Sequence, residues 1–62
     1  MKNYYFCNAN FAVYTEIEKN NSTFPAFRFE LIGQFKSRKQ AENAWNAKPE
    51  NFGNYATNAK RI

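Results

Sequence analysis

Leu31-Ile32-Gly33-Gln34-Phe35-Lys36-Ser37-Arg38-Lys39-Gln40-Ala41-Glu42-Asn43-Ala44-Trp45 is the stretch on which the reading of this 62-residue chain turns. Its first half alternates like the end of a strand, with Gly33 as a tight exit. Ser37 and Gln40 then have capping-box spacing: the serine oxygen can accept the Gln40 amide, and the Gln40 side chain can reach back. Ala41, Ala44 and Trp45 follow at the 3, 4 spacing of a helix buried on one side. The helix is expected from Ser37 to about Ala47, because Pro49 disfavours helical backbone at Lys48.

Working back toward the N-terminus, Ala26 to Phe35 alternates as one strand, with Phe27, Phe29, Leu31 and Phe35 on one side. Arg28, Glu30, Ile32 and Gln34 point the other way. Pro25 belongs to the preceding loop or the first strand position, since it cannot donate to a ladder. Lys19-Asn20-Asn21-Ser22-Thr23 is a polar turn. Asn3 to Glu18 has period two throughout. Tyr5, Cys7, Ala9, Phe11, Val13, Thr15 and Ile17 form the expected core side, and Tyr4, Phe6, Asn8, Asn10, Ala12, Tyr14, Glu16 and Glu18 the other. So long a strand calls for a bulge or a dividing turn at Asn8-Ala9-Asn10, and a one-residue bulge would bring Tyr4 and Phe6 to the core side.

Past the helix, Pro49 to Asn54 is a turn in which Phe52 is expected to plug the end of the core. Tyr55 to Ile62 is a weak third strand. The result is a single domain, residues 1–62, of the α+β class: a ββαβ layout with a three-stranded antiparallel sheet in the order 2-1-3. One helix covers one face, and the other face is open.

Composition narrows the function. A chain this short buries only about 60% of the surface it exposes unfolded, and 19% aromatic content is its visible means of compensation. One cysteine and no histidine exclude a self-contained zinc site and a disulfide framework. Cys7 reads as a small buried hydrophobe. Without histidine or aspartate the usual triads and paired aspartates cannot be assembled, and two glycines are too few for a phosphate-cradling loop. The expectation is a protein that is not an enzyme and uses no cofactor and no metal. No run is apolar enough to span a membrane, and Asn8 and Asn10 interrupt any signal-peptide core, so a cytoplasmic location is expected.

The net charge of +4 is uneven. Up to Ile32, three basic and three acidic residues cancel; from Gly33, Lys36, Arg38, Lys39, Lys48, Lys60 and Arg61 face only Glu42 and Glu50. Two candidate surfaces emerge. On the open sheet face, Tyr4, Phe6 and Tyr14 lie with Arg28, as an aromatic patch suited to a protein interface, a second copy of the chain, or stacked bases. Glu16, Glu18 and Glu30 on that face favour a protein over a phosphate backbone. At the helix entrance, Lys36, Arg38 and Lys39 add cations where the macrodipole is already positive, with Lys60 and Arg61 as further charges. Side chains splayed into solvent would look the same.

Three resemblances accompany these residues. Gly33, Phe35, Ser37, Ala41 and Ala44 resemble the second half of SPOR domains, which implies binding to denuded peptidoglycan glycans. The same joint is similar to the integrase-type DNA-binding domain, which implies DNA contact through a three-stranded sheet. The whole layout, through Trp45, Pro49, Phe52 and Arg61, resembles a small phage-encoded inhibitor of host RNA polymerase and, more loosely, anti-CRISPR proteins. That last likeness implies a phage-type accessory protein that occludes a larger host protein or nucleoprotein complex. Direct nucleic-acid binding through the helix entrance and C-terminal strand is the alternative.

Overall fold

The computed structural model describes residues 1–57. Three strands, β1 (Lys2–Cys7), β2 (Ala12–Thr15) and β3 (Phe29–Phe35), form one antiparallel sheet in the order β2-β1-β3. A short helix α1 (Glu16–Asn20) follows β2, and the main helix α2 (Arg38–Ala47) follows β3. The class, the three-stranded antiparallel sheet in the order 2-1-3 and the one main helix are those expected from the sequence, but the strands filling that order differ: β1 and β2 both come from the expected first strand, and no described strand follows α2.

The long alternating stretch is divided by a turn. Asn8 to Phe11 reverse the chain, with the Phe11 amide donating to the Cys7 carbonyl at 2.9 Å. Phe11 takes a φ of 59°, a left-handed conformation that costs a non-glycine residue roughly 1–2 kcal/mol. Its carbonyl is held by the Thr57 amide at 3.1 Å, and its ring meets the edge of Phe6 at 6.1 Å between centroids. The turn also reverses parity: Phe6 lies opposite Val13 and Tyr5 opposite Tyr14. Cross-strand partners share a face, so even positions of β1 join odd positions of β2.

β2 is short because Thr15 ends it. The threonine hydroxyl accepts the Glu18 amide at 3.2 Å, while a Glu18 carboxylate oxygen accepts the Thr15 amide at 2.9 Å. This reciprocal capping box starts α1 where alternation alone predicts continued strand.

β3 carries the sheet's irregularity. Tyr4 faces Gly33 while Tyr5 faces Leu31, which leaves Ile32 as an extra residue between them. Gly33 therefore lies inside β3, with φ 147°, and is not the strand's exit. The bulge puts Leu31 and Gly33 on opposite faces, which allows both Ile32 and Phe35 to pack under α2.

Two apolar clusters result. Under α2 lie Tyr4, Phe6 and Val13 with Ala41, Trp45 and Ala56; across the sheet lie Cys7, Ala12 and Tyr14, backed by Phe24 and Phe29. Phe6 stacks on Trp45 with centroids 4.3 Å apart and an interplanar angle of 13°. The second face is thus partly covered, by α1 and by Phe24, and not fully open. Cys7 is buried, as expected of a small hydrophobe.

α2 begins as the sequence predicts. Ser37 accepts the Gln40 amide at 3.2 Å, while the Gln40 side chain reaches back past Ser37 to accept the Lys36 amide at 3.1 Å, so only the serine half of the expected capping box forms. Beyond the 3-10 turn Pro49–Asn51, the chain runs back along α2 through asparagine side chains. Asn46 both donates to the Ala56 carbonyl (3.3 Å) and accepts its amide (2.8 Å), and the Trp45 indole donates to the Asn54 carbonyl at 2.7 Å. These bonds hold residues 54–57 to the helix, where they form no strand; the rest of the expected third strand lies outside the described residues.

Candidate functional site

The aromatic patch expected on an open sheet face does not exist as a surface. Tyr4, Phe6 and Tyr14 are 4%, 3% and 1% exposed. The parity reversal at the turn sends Tyr4 and Phe6 under α2, and Tyr14 goes beneath Phe29, whose ring meets it edge-on at 5.1 Å.

The helix entrance is also largely committed. The Arg38 guanidinium forks onto Glu18, with Nη1 to Oε1 at 2.8 Å and Nη2 to Oε2 at 3.0 Å, and Nη1 also donates to the Val13 carbonyl at 2.8 Å. One side chain thereby ties α1, the β2 edge and α2 together. Lys39 pairs with Glu42 at 3.1 Å. Among the described residues only Lys36 of the three remains without an acidic partner. Lys60 and Arg61 lie outside the described residues.

Of the predicted site residues, Arg28 stays at an accessible surface, as do Lys36 and Lys39. Arg28 belongs to a 3-10 turn, Ala26–Arg28, that interrupts the strand expected to start at Ala26. Its guanidinium lies 5.1 Å from the centre of the Phe27 ring, and Nη1 donates to Asn8 Oδ1 at 3.4 Å. This arrangement forms one wall of a groove of about 450 Å³. The 3-10 turn and the start of β3 supply Phe27, Arg28 and Glu30; the C-terminal end of α2 and the turn after it supply Glu50, Asn51 and Asn54. Phe6 and Trp45 reach its floor.

The aromatics exposed here were expected inside, Phe27 from the alternation of its strand and Phe52 as a plug at the end of the core. Phe27 is 75% exposed on the groove wall, and Phe52, between the groove residues Asn51 and Asn54, is 80% exposed. Phe52 does not plug the core. Its ring packs edge-on against the partly exposed Tyr55 at 6.0 Å. The signals for both were punctuation: Pro25 caps one 3-10 turn and Pro49 opens another, and Phe27 and Phe52 lie in or just after those turns.

A polar cluster marks the opposite end of β1. Glu16 accepts from Asn3 Nδ2 at 3.2 Å and from the Tyr5 hydroxyl at 3.0 Å, and Lys19 lies 5.0 Å from the Tyr5 ring centre. The Asn3 and Tyr5 donors hold the Glu16 carboxyl below its ordinary value; burial, then the neighbouring Glu16 carboxylate, pushes the Tyr5 phenol up. Among the described residues no group of three metal-ligating side chains gathers, and no helix is long and apolar enough to cross a membrane.

In comparisons with known proteins, no family model, no curated protein and no solved structure matches the chain.

Proposed function

We propose that the protein is a non-enzymatic binding module that docks its groove end onto a larger protein and occludes that partner's surface. The observation that carries this reading is the pair of phenylalanines, Phe27 on the groove wall and Phe52 next to the groove residue Asn51, held out in a domain that leaves none of its other aromatic residues more than 38% exposed. Covering a phenyl ring is worth about 1.5–3 kcal/mol, and exposed aromatics beside an arginine have the composition of interface anchors. Arg28, presented on Phe27, supplies the charge.

The layout resemblance to small phage-encoded inhibitors gives the reading its most specific form: an anti-CRISPR-like protein acting on a host protein or nucleoprotein complex. Phe27, Arg28 and Phe52 take over as anchors from the buried Tyr4, Phe6 and Tyr14. Direct nucleic-acid binding has less support, because Arg38 and Lys39 are engaged by glutamates. The test compares immobilised wild-type protein with the double variant Phe27→Ala/Phe52→Ala in capture from bacterial lysate, with Trp45 fluorescence reporting the fold. A stoichiometric partner kept by the wild type and lost by the folded variant is expected. Equal capture by both would overturn the assignment of the groove end.

A further inference from the structure

The groove's hydrogen-bonding capacity is one-sided. Asn8 Oδ1 is taken by Arg28, and the Asn54 carbonyl is taken by the Trp45 indole. Asn51 is only 8% exposed, and its Nδ2 is committed to the Trp45 carbonyl at 2.9 Å. That bond fixes the amide's orientation and leaves Oδ1, a pure acceptor, as what this wall residue can offer. Glu30 and Glu50 line the same groove and have no hydrogen bond or ion pair among the described residues. Two carboxylates and a fixed amide oxygen are therefore unspent, whereas the guanidinium of Arg28 is already engaged by Asn8 and Phe27.

Resting on the binding-module reading, we infer that the groove receives an arginine side chain of the partner protein. A guanidinium carries five donors in a plane, forks onto carboxylates, and stacks on aromatic faces such as that of Phe27. An ammonium would satisfy the charge without using the ring wall or the planar fork. A phosphate would meet two carboxylates and only one guanidinium.

The experiment is an NMR titration of the full chain with N-acetyl-arginine amide. It reads the Trp45 indole N–H and the Asn51 side-chain amide, which border the groove. Saturating shifts are expected, and they should weaken as ionic strength rises. Glu30→Gln/Glu50→Gln should bind about tenfold more weakly, equivalent to about 1.4 kcal/mol, with an unchanged thermal midpoint. Equal binding of N-acetyl-citrulline amide, which keeps the shape and lacks the charge, would overturn the inference. So would equal binding of N-acetyl-lysine amide, or a variant that binds as the wild type does. The two readings separate in partner capture. If the glutamine variant still captures the partner while Phe27→Ala/Phe52→Ala does not, the arginine assignment fails and the binding module stands; if the alanine variant also captures it, the module's site is wrong.

Discussion

Arg38 is the residue at which architecture and function make opposite predictions. A free cation at the helix entrance could be removed at little cost to stability. A guanidinium that ties Glu18, Val13 and α2 together could not. Its side chain and that of Glu18 are each 27% exposed. Fully exposed pairs couple by about 0.2–1 kcal/mol, and breaking a buried pair costs about 3–5 kcal/mol. A bidentate pair at this depth falls between, at about 1.5 kcal/mol of coupling. The bond to the Val13 carbonyl adds about 1 kcal/mol that Glu18 does not share. Arg38→Met, which keeps the aliphatic stem, should therefore cost about 2.5 kcal/mol. A chain of this length has a total stability of about 3–9 kcal/mol, and the loss corresponds to a fall in melting temperature of about 10–20 °C.

The assay is urea unfolding followed by the fluorescence of Trp45, the chain's one tryptophan, which reports on the ring stacked against it. Glu18→Gln completes a double-mutant cycle while retaining an oxygen to cap Thr15. A coupling below about 0.3 kcal/mol, within the additivity error, would refute the reasoning and return Arg38 to the list of available cations.

Two further outcomes follow from the geometry. Thr15→Ala removes one half of the α1 capping box and should cost about 1 kcal/mol, with faster amide exchange through Glu16–Asn20 as the local readout. The Asn3–Tyr5–Glu16 cluster should show opposite pH signatures by NMR titration. Because the folded Glu16 carboxyl sits below its ordinary value, its contribution is present above the unfolded pKa and is lost as acid carries the pH down through the folded one. The Tyr5 phenol is raised, so its contribution holds below the unfolded phenol value and is lost as pH climbs through the folded one. Mutating Asn3 to Ala should move Glu16 back toward its ordinary value; no movement would remove the Asn3 bond as its cause.

The parts legible in the sequence were those set by local chemistry with one outcome. Ser37 with Gln40 could only be a helix entrance, and Ala41 and Trp45 could only face inward from it. The strand order was matched with other strands than those expected, because the turn at Asn8–Phe11 splits the first strand in two and the described residues after α2 form none. Facing was harder, because it accumulates along the chain. The turn at Asn8–Phe11 reverses the parity of everything after it, and the extra residue at Ile32 reverses it again within β3. The turn has no glycine to announce it, since Phe11 adopts the positive φ itself, and Gly33 beside the extra Ile32 reads equally well as a strand exit. The Thr15-Glu16-Ile17-Glu18 capping signature was present but competed with an unbroken period-two pattern. The groove was illegible for the same reason: Phe27 and Phe52 look like core residues until the 3-10 turns that Pro25 caps and Pro49 opens turn them outward.

Site-specific photocrosslinking tests most directly whether the groove end is the docking surface. Phe52→p-benzoylphenylalanine would be compared with the same replacement at Ile17, which is 74% exposed in α1. One dominant adduct is expected from position 52 in lysate and none from position 17. A dominant adduct from position 17 with none from position 52 would contradict the groove end as the docking surface.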